Sequence, residues 1–331
     1  MRNVSVSNLQ SFFDNRDVLF LVGLGFDERG LHALRNVSNE VSSRAVALLN
    51  PKRQDINQLM YVESFLQASS LGAKVIGIDS ASVLEVIDSL QGYLCDERVS
   101  YSEILVDITS LSHELLVALI GLFVIEGVIS KVSLIYTGAA KYSFNTDSDM
   151  AWLSRGVSDI RSILGFPGLI LPSKSLHLVI MAGFESERAA EVISRYEPAK
   201  LTIAHGARDE SVCLAHYERN KSYAASIETL LNSRGLLIND IASFEFSCVD
   251  PYRASEQIYQ YVSGLNGDNV ILCPLNTKMS TVGAALAGVR LPKMQICYAQ
   301  AAEYNLQGYA MAGDEITVVS LSQLDLAIGD I

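Results

Sequence analysis

The sequence predicts an α/β protein built from two tandem Rossmann-like halves, each a mostly parallel sheet of about five strands flanked by helices. Three observations predict it. Short β-branched apolar runs alternate with helical patterns along the chain, which is the rhythm of βαβ units. The runs are continuously apolar rather than alternating, as in strands of a sheet covered on both faces. The same series of runs occurs twice, in one order and with similar loops, which predicts an internal duplication.

In the first half the candidate strands are 18–23, 44–49, 73–78, 104–109 and 132–137. In the second they are 178–182, 200–204, 244–249, 269–275 and 294–299. The loops correspond as well. Strand one leads into Gly25-Phe26-Asp27 with Arg29 nearby, and in the copy into Gly183-Phe184-Glu185 with Arg188 nearby. Strand two leads into Asn50-Pro51-Lys52-Arg53, and in the copy into His205-Gly206-Ala207-Arg208. Strand four ends in Asp107 followed by Thr109, Ser110 and Ser112; its copy ends in Pro274 followed by Asn276, Thr277, Lys278, Ser280 and Thr281. Strand five ends in Tyr136 with Tyr142 in the loop beyond, and in the copy Tyr298 with Tyr304. Residues 1–143 form the first half, 144–175 a connector, and 176–331 the second half. The connector holds the only tryptophan, Trp152, and is expected to pack on the first half. A short helix is expected over 158–164, stopped by the turn Gly165-Phe166-Pro167-Gly168.

Hydrophobic residues make up 49% of the 331 residues and charged residues 19%, enough to bury a core in each half. The net charge of −12 disfavours broad binding to a polyphosphate backbone and leaves room for a local basic pocket. The apolar stretch 115–129 contains Glu126 and is too short to span a bilayer, so it predicts a buried helix and no membrane insertion. The five cysteines form no CxxC pair, and the N-terminus lacks the apolar run of a signal peptide. Both features point to reduced thiols in a cytoplasmic protein. No HxxxH or Cys/His cluster suggests a metal, and no cofactor is implied.

Ligands of open α/β sheets bind at the carboxyl ends of the strands, where helix N-termini favour anions. The repeated loops sit on that edge. The first-strand loop has the spacing GxGxxxxG, too long for a dinucleotide fingerprint. The hydroxyls after strand four are suited to a phosphate or ribose, or to plain helix capping. Lys278 at a helix start favours an anion. Ser112 and His113 are neighbours on a helix and point apart, so they are not a nucleophile and its base. The candidate ligand contacts are therefore Gly25, Asp27, Arg29, Asp107, Thr109, Ser110, Ser112, Tyr142, Glu185, Arg188, His205, Arg208, Asn276, Thr277, Lys278, Ser280 and Tyr304.

These loops resemble a known family. A Rossmann-like unit with a polar loop after strand one, and Asn276-Thr277-Lys278 opening a helix after strand four, is similar to the CARF domains of CRISPR systems. Two such units in one chain resemble the SAVED domain of anti-phage signalling systems. The chain departs from the pattern in lacking paired glycines in both loops, and Thr109-Ser110-Leu111-Ser112 lacks the lysine. The resemblance implies a pocket across a pseudo-two-fold axis for a nucleotide-like anionic ligand, with a partner effector protein or a homo-oligomer supplying the output. It leaves two alternatives open: a nucleotide-acting enzyme, hydrolase or ring-nuclease-like, and a structural interaction subunit with vestigial pockets.

Overall fold

The computed structural model describes residues 1–13, 16–51, 58–69, 73–78, 80–96, 99, 101–142, 153–235, 238, 241–306 and 310–322. In chain order the elements are β1 (Arg2–Ser5), α1 (Leu9–Phe13), β2 (Val18–Leu24), α2 (Asn39–Ser42), β3 (Ala45–Leu49), α3 (Gln58–Ala68), β4 (Lys74–Ile76), α4 (Val83–Leu94), β5 (Glu103–Asp107), α5 (His113–Ile125) and β6 (Val132–Tyr142). There follow β7 (Ser154–Ser162), β8 (Leu176–Met181), α6 (Ser186–Tyr196), β9 (Lys200–Gly206), α7 (Leu214–Ser233), β10 (Ile241–Ala242) and β11 (Glu245–Phe246). The chain continues through α8 (Pro251–Ser263), β12 (Asn269–Pro274), α9 (Lys278–Arg290), β13 (Gln295–Tyr304) and β14 (Ala310–Ser320).

The chain divides into two compact units. One comprises Met1–Ala151 with Leu306–Ala327, the other Trp152–Asn305 with Ile328–Ile331. The first unit's sheet has the order β1-β14-β6-β5-β2-β3-β4. Its four pairings from β4 to β6 are all parallel, whereas β14 joins β6 antiparallel and β1 joins β14 antiparallel. The second unit's sheet has the order β10-β9-β8-β12-β13-β7, with β11 also on β9. It is parallel except for β7, which lies antiparallel on β13. Taking β2 and β8 as first strands, both sheets read 3-2-1-4-5, a doubly wound order, followed by one antiparallel strand. The chain passes from β6 in the first unit to β7 in the second, and from β13 in the second back to β14 in the first. Each unit's antiparallel strand is thus the segment that follows the other unit's fifth strand.

All seven residues of β2 are buried, as a central strand covered on both faces requires. Val18, Phe20, Val22 and Leu24 of this strand join Phe13, Leu34, Phe65 and Leu105 in one core. In the second unit Leu178 and Ile180 of β8 pack with Ile193, Ile227, Ile271 and Cys297. The helices after each fourth strand, α5 and α9, are buried over ten consecutive residues, Glu114–Phe123 and Met279–Gly288. The apolar stretch that begins at Leu115 is thus a buried helix. No helix among the described residues is long and apolar enough to cross a membrane.

Each of the ten apolar runs falls on a strand, with three differences. Residues 158–164 do not form a helix: 154–162 is β7, which pairs with β13. The helical look came from Val157 and Ile160, three residues apart. A bulge opposite Gln300 and Ala301 adds Ser158 to the strand, and the extra residue returns both side chains to the core-facing side. The connector 144–175 therefore contributes a strand to the second unit, while Trp152 lies outside the described residues. The run 244–249 is only partly strand, because Ser247 Oγ accepts from the amides of Val249 (3.4 Å) and Asp250 (3.0 Å) and turns the chain into α8. Tyr142 and Tyr304 end β6 and β13 instead of lying in loops, since β14 and β7 extend the pairing to them.

Candidate functional site

The carboxyl ends of the parallel strands gather the predicted residues of each unit, and the switch points lie between β2 and β5 and between β8 and β12. In the first unit Asp27 and Arg29 form a buried ion pair. Asp27 Oδ1 accepts from the Arg29 backbone amide (3.1 Å) and Nε (3.0 Å), and Oδ2 accepts from Nη2 at 2.6 Å. Arg29 Nη1 donates to the Thr137 carbonyl at 3.3 Å, and the guanidinium carbon lies 6.0 Å from the centre of the Tyr136 ring.

The loop after β5 closes on this pair. Ser110 Oγ donates to the Asp27 carbonyl at 2.9 Å. Asn50 Nδ2 donates to the carbonyls of Leu24 (3.0 Å) and Ser110 (2.9 Å), and Asn50 Oδ1 accepts from the Ser112 amide at 2.6 Å. Ser112 caps α5 by accepting from the Leu115 amide at 3.1 Å. A Cβ on Gly25 would lie 3.2 Å from the Ser110 carbonyl oxygen, so the glycine serves loop-to-loop contact. Asp107 is fully buried. Its Oδ1 accepts from the Thr109 amide at 2.9 Å, while Oδ2 has no partner among the described residues. Burial pushes its carboxyl up to about 7; Thr109 opposes the rise, Asp27 adds to it and Arg29 reduces it. Thr109 Oγ1 accepts from the Thr137 amide at 3.0 Å.

The second unit has a counterpart of the ion pair. Arg188 Nη1 donates to Glu185 Oε2 at 2.6 Å, and Arg188 Nε donates to the Ala299 carbonyl at 2.9 Å. Ser154 Oγ donates to Glu185 Oε1. The guanidinium carbon lies 6.0 Å from the centre of the Tyr298 ring, and the hydroxyls of Tyr298 and Tyr304 are 3.4 Å apart. Burial works against the charge on Arg188, but Glu185, with Tyr304 and Tyr298, raises its pKa further, so it stays protonated. In both units the arginine after strand one therefore pairs with the preceding acid, donates to the carbonyl that follows a fifth-strand tyrosine, and sits over that tyrosine. The side chain of Tyr142 lies outside the described residues.

At the switch point of the second unit, a Cβ on Gly183 would lie 1.9 Å from the Leu275 carbonyl oxygen. Asn276 Nδ2 donates to the Ala182 carbonyl at 2.5 Å. Thr277 Oγ1 donates to the Cys248 carbonyl at 2.7 Å and caps α9 by accepting from the Ser280 amide at 3.2 Å. The hydroxyls of Ser280 and Thr281 donate back to the Thr277 carbonyl. Lys278, half-buried, is the first residue of α9, whose first turn holds no acidic residue. The capping residue of the first unit that corresponds to Thr277 is Ser112, not Thr109.

The loop after β9 is more open. His205 Nδ1 donates to the Gly206 carbonyl at 3.1 Å, and its ring meets Tyr217 edge-on at 6.4 Å. Arg208 is exposed and pairs with none of the described residues. Asn220 and His216 escaped the sequence reading, and Asn50, named in the loop after strand two, was not among the candidate contacts. Asn220, buried in α7, donates to the carbonyls of Ala182 (2.7 Å) and Gly183 (3.0 Å) and accepts from the Gly206 amide at 2.7 Å. Its only sequence signal was one asparagine in a helical pattern. Among the described residues no group of three His, Cys, Asp or Glu side chains could hold a metal ion.

The fold and these edges define a mixed α/β protein with Rossmann-like sheets. No family model matches the chain, and no curated protein matches it. Among solved structures, the crystal structure of Acinetobacter baumannii MurG matches at 13% identity over 85% of each chain, with a TM-score of 0.24. At that score the likeness carries no argument about fold or activity.

Proposed function

We propose that the chain is an internally duplicated ligand-sensing protein that binds a nucleotide-like anionic small molecule at the carboxyl strand edge of its second unit. The observation that carries this reading is Lys278 at the first position of α9, with no acid in that turn. A cation there meets the positive end of the helix dipole, and an anionic ligand turns that cost into a gain. The first unit differs. Its equivalent helix, α5, begins His113-Glu114 and already carries an acid in its first turn.

Duplication is supported by the common strand order and the two matched acid–arginine–tyrosine arrangements. The resemblance to CARF and SAVED domains supports a role in prokaryotic anti-phage defence alongside a partner effector. The use of Asp27 and Arg29 in a buried ion pair, and of Glu185 and Arg188 in a half-buried one, fits a sensor, since such pairs fix the loops rather than supply a reacting group. Isothermal calorimetry with cyclic and linear nucleotides tests the proposal. Lys278→Ala is expected to weaken binding by about 1.5–3 kcal/mol, the range for a hydrogen bond to a charged group. Unchanged affinity with the fold intact removes Lys278 as an anion contact. Rapid multiple turnover favours the enzyme, and absence of binding favours the interaction subunit.

A further inference from the structure

Between β7 and β8 the chain carries an apolar stretch, from Ile163 to Leu171, of the composition expected in a core. Two of its side chains go there. Ile163 and Phe166 are 1% and 5% exposed. Leu164, Leu169, Ile170 and Leu171 stay outside, at 40%, 47%, 47% and 37%. Single exposed apolar side chains are ordinary, whereas several on one short segment mark an interaction surface.

The backbone of this segment is held in place. The Ile163 amide donates to the Ile296 carbonyl (2.9 Å), the Ile296 amide to the Phe166 carbonyl (3.0 Å) and the Leu169 amide to the Lys293 carbonyl (3.0 Å). Buried Asn269 clamps Leu171: its Oδ1 accepts from the Leu171 amide and its Nδ2 donates to the Leu171 carbonyl, both at 2.8 Å. Gly168, with φ 63°, brings the backbone so close to β13 that a Cβ would lie 2.4 Å from the Gln295 nitrogen. The four exposed side chains are thus preorganised, which lowers the ordering cost of binding. Between Leu169 and Leu171, the Ile170 amide and carbonyl make no hydrogen bond among the described residues. Open backbone groups of this kind suit an extended chain laid alongside.

Charge selects the partner. Residues 163–175 and 291–295 contain Lys174 and Lys293 and no acid, in a chain of net charge −12. Lys293 is exposed, and half-buried Lys174 donates to the Asn266 carbonyl at 3.0 Å. A second copy docked through the same patch about a two-fold axis would set these lysines against one another. The net charge of −12 repels an anionic membrane at long range. A protein segment that is both apolar and acidic meets neither obstacle. We propose that residues 164–171 are a docking surface for an extended, apolar and acidic segment of a partner protein. The surface lies at the amino ends of β8, β12 and β13, so a partner seated there leaves the Lys278 edge of the second unit open. It goes beyond the ligand reading and does not depend on it.

The test screens the full chain against a displayed random-peptide library and measures the enriched peptides by calorimetry. The expected peptides combine apolar with acidic residues. Ile170→Asp should abolish their binding, Lys293→Glu should weaken it roughly tenfold, and Lys278→Ala should leave it unchanged. Ile170 is exposed, so its variant should keep the fold, as thermal melting checks. Leu164→Asp repeats the test should Ile170→Asp fail to fold. No enrichment, or peptides that bind Ile170→Asp as well as wild type, overturns the proposal. So does self-association in sedimentation, or flotation with phosphatidylserine vesicles, that Ile170→Asp abolishes: the first assigns the patch to a second copy and the second to a membrane.

Discussion

At the scale of the residue, Asp107 has the clearest consequence. It is fully buried, one carboxyl oxygen has no partner among the described residues, and burial raises its pKa from 3.8 to about 7. The unfolded chain releases this proton near pH 4 and the folded chain near pH 7. Between those values the unfolded state binds fewer protons, so this group lowers stability as pH rises through the window. The full gap corresponds to an upper bound on the order of 4 kcal/mol. Asp107→Asn, which keeps an oxygen for the Thr109 amide, should raise stability to urea at pH 8 and change it little at pH 4. An equal loss at both pH values would show that the carboxylate itself is needed. At this scale the sequence was legible in part. It marked Asp27, Arg29, Glu185 and Arg188 through their repeated positions. It could not reveal that each acid pairs with its own arginine, because that depends on a fifth-strand carbonyl more than a hundred positions away. The hydroxyls of Ser112 and Thr277 read equally well as caps or ligand contacts, and both are caps.

At the scale of the element, the parallel strands were legible because they are apolar and, apart from β6, β10 and β13, each is followed by a helix. The antiparallel strands were not. In β7 a bulge breaks the alternation. In β14 the register shifts between Ala312 and Ile316, and its partner β6 belongs to the half at the other end of the sequence. Ile316 of β14 is fully buried in the core of the first unit. Ile316→Ala should therefore destabilise that unit by about 2–5 kcal/mol, although the residue follows every strand of the second unit in sequence. Hydrogen exchange measures this directly. Protection should fall in β6 and β2 and persist in β8 and β12. A loss confined to the second unit would contradict the strand assignment.

At the scale of the whole molecule, the duplication we propose explains why one strand order and one arginine arrangement occur twice. It also explains why function can be unequal between the copies: the loop after β5 is closed by Ser110 and Asn50, whereas the second unit keeps Arg208 exposed and places Lys278 at a helix start. The central claim is that this edge holds a phosphate-bearing small molecule. Its most direct test is mass spectrometry of the small molecules released by heat from the purified chain after equilibration with a metabolite extract and desalting. The account predicts that the wild-type chain releases a phosphate-bearing compound in near-stoichiometric amount and that the Lys278→Ala, Arg208→Ala double variant releases far less. Release of no such compound from the wild type, or equal release from both proteins, would contradict it.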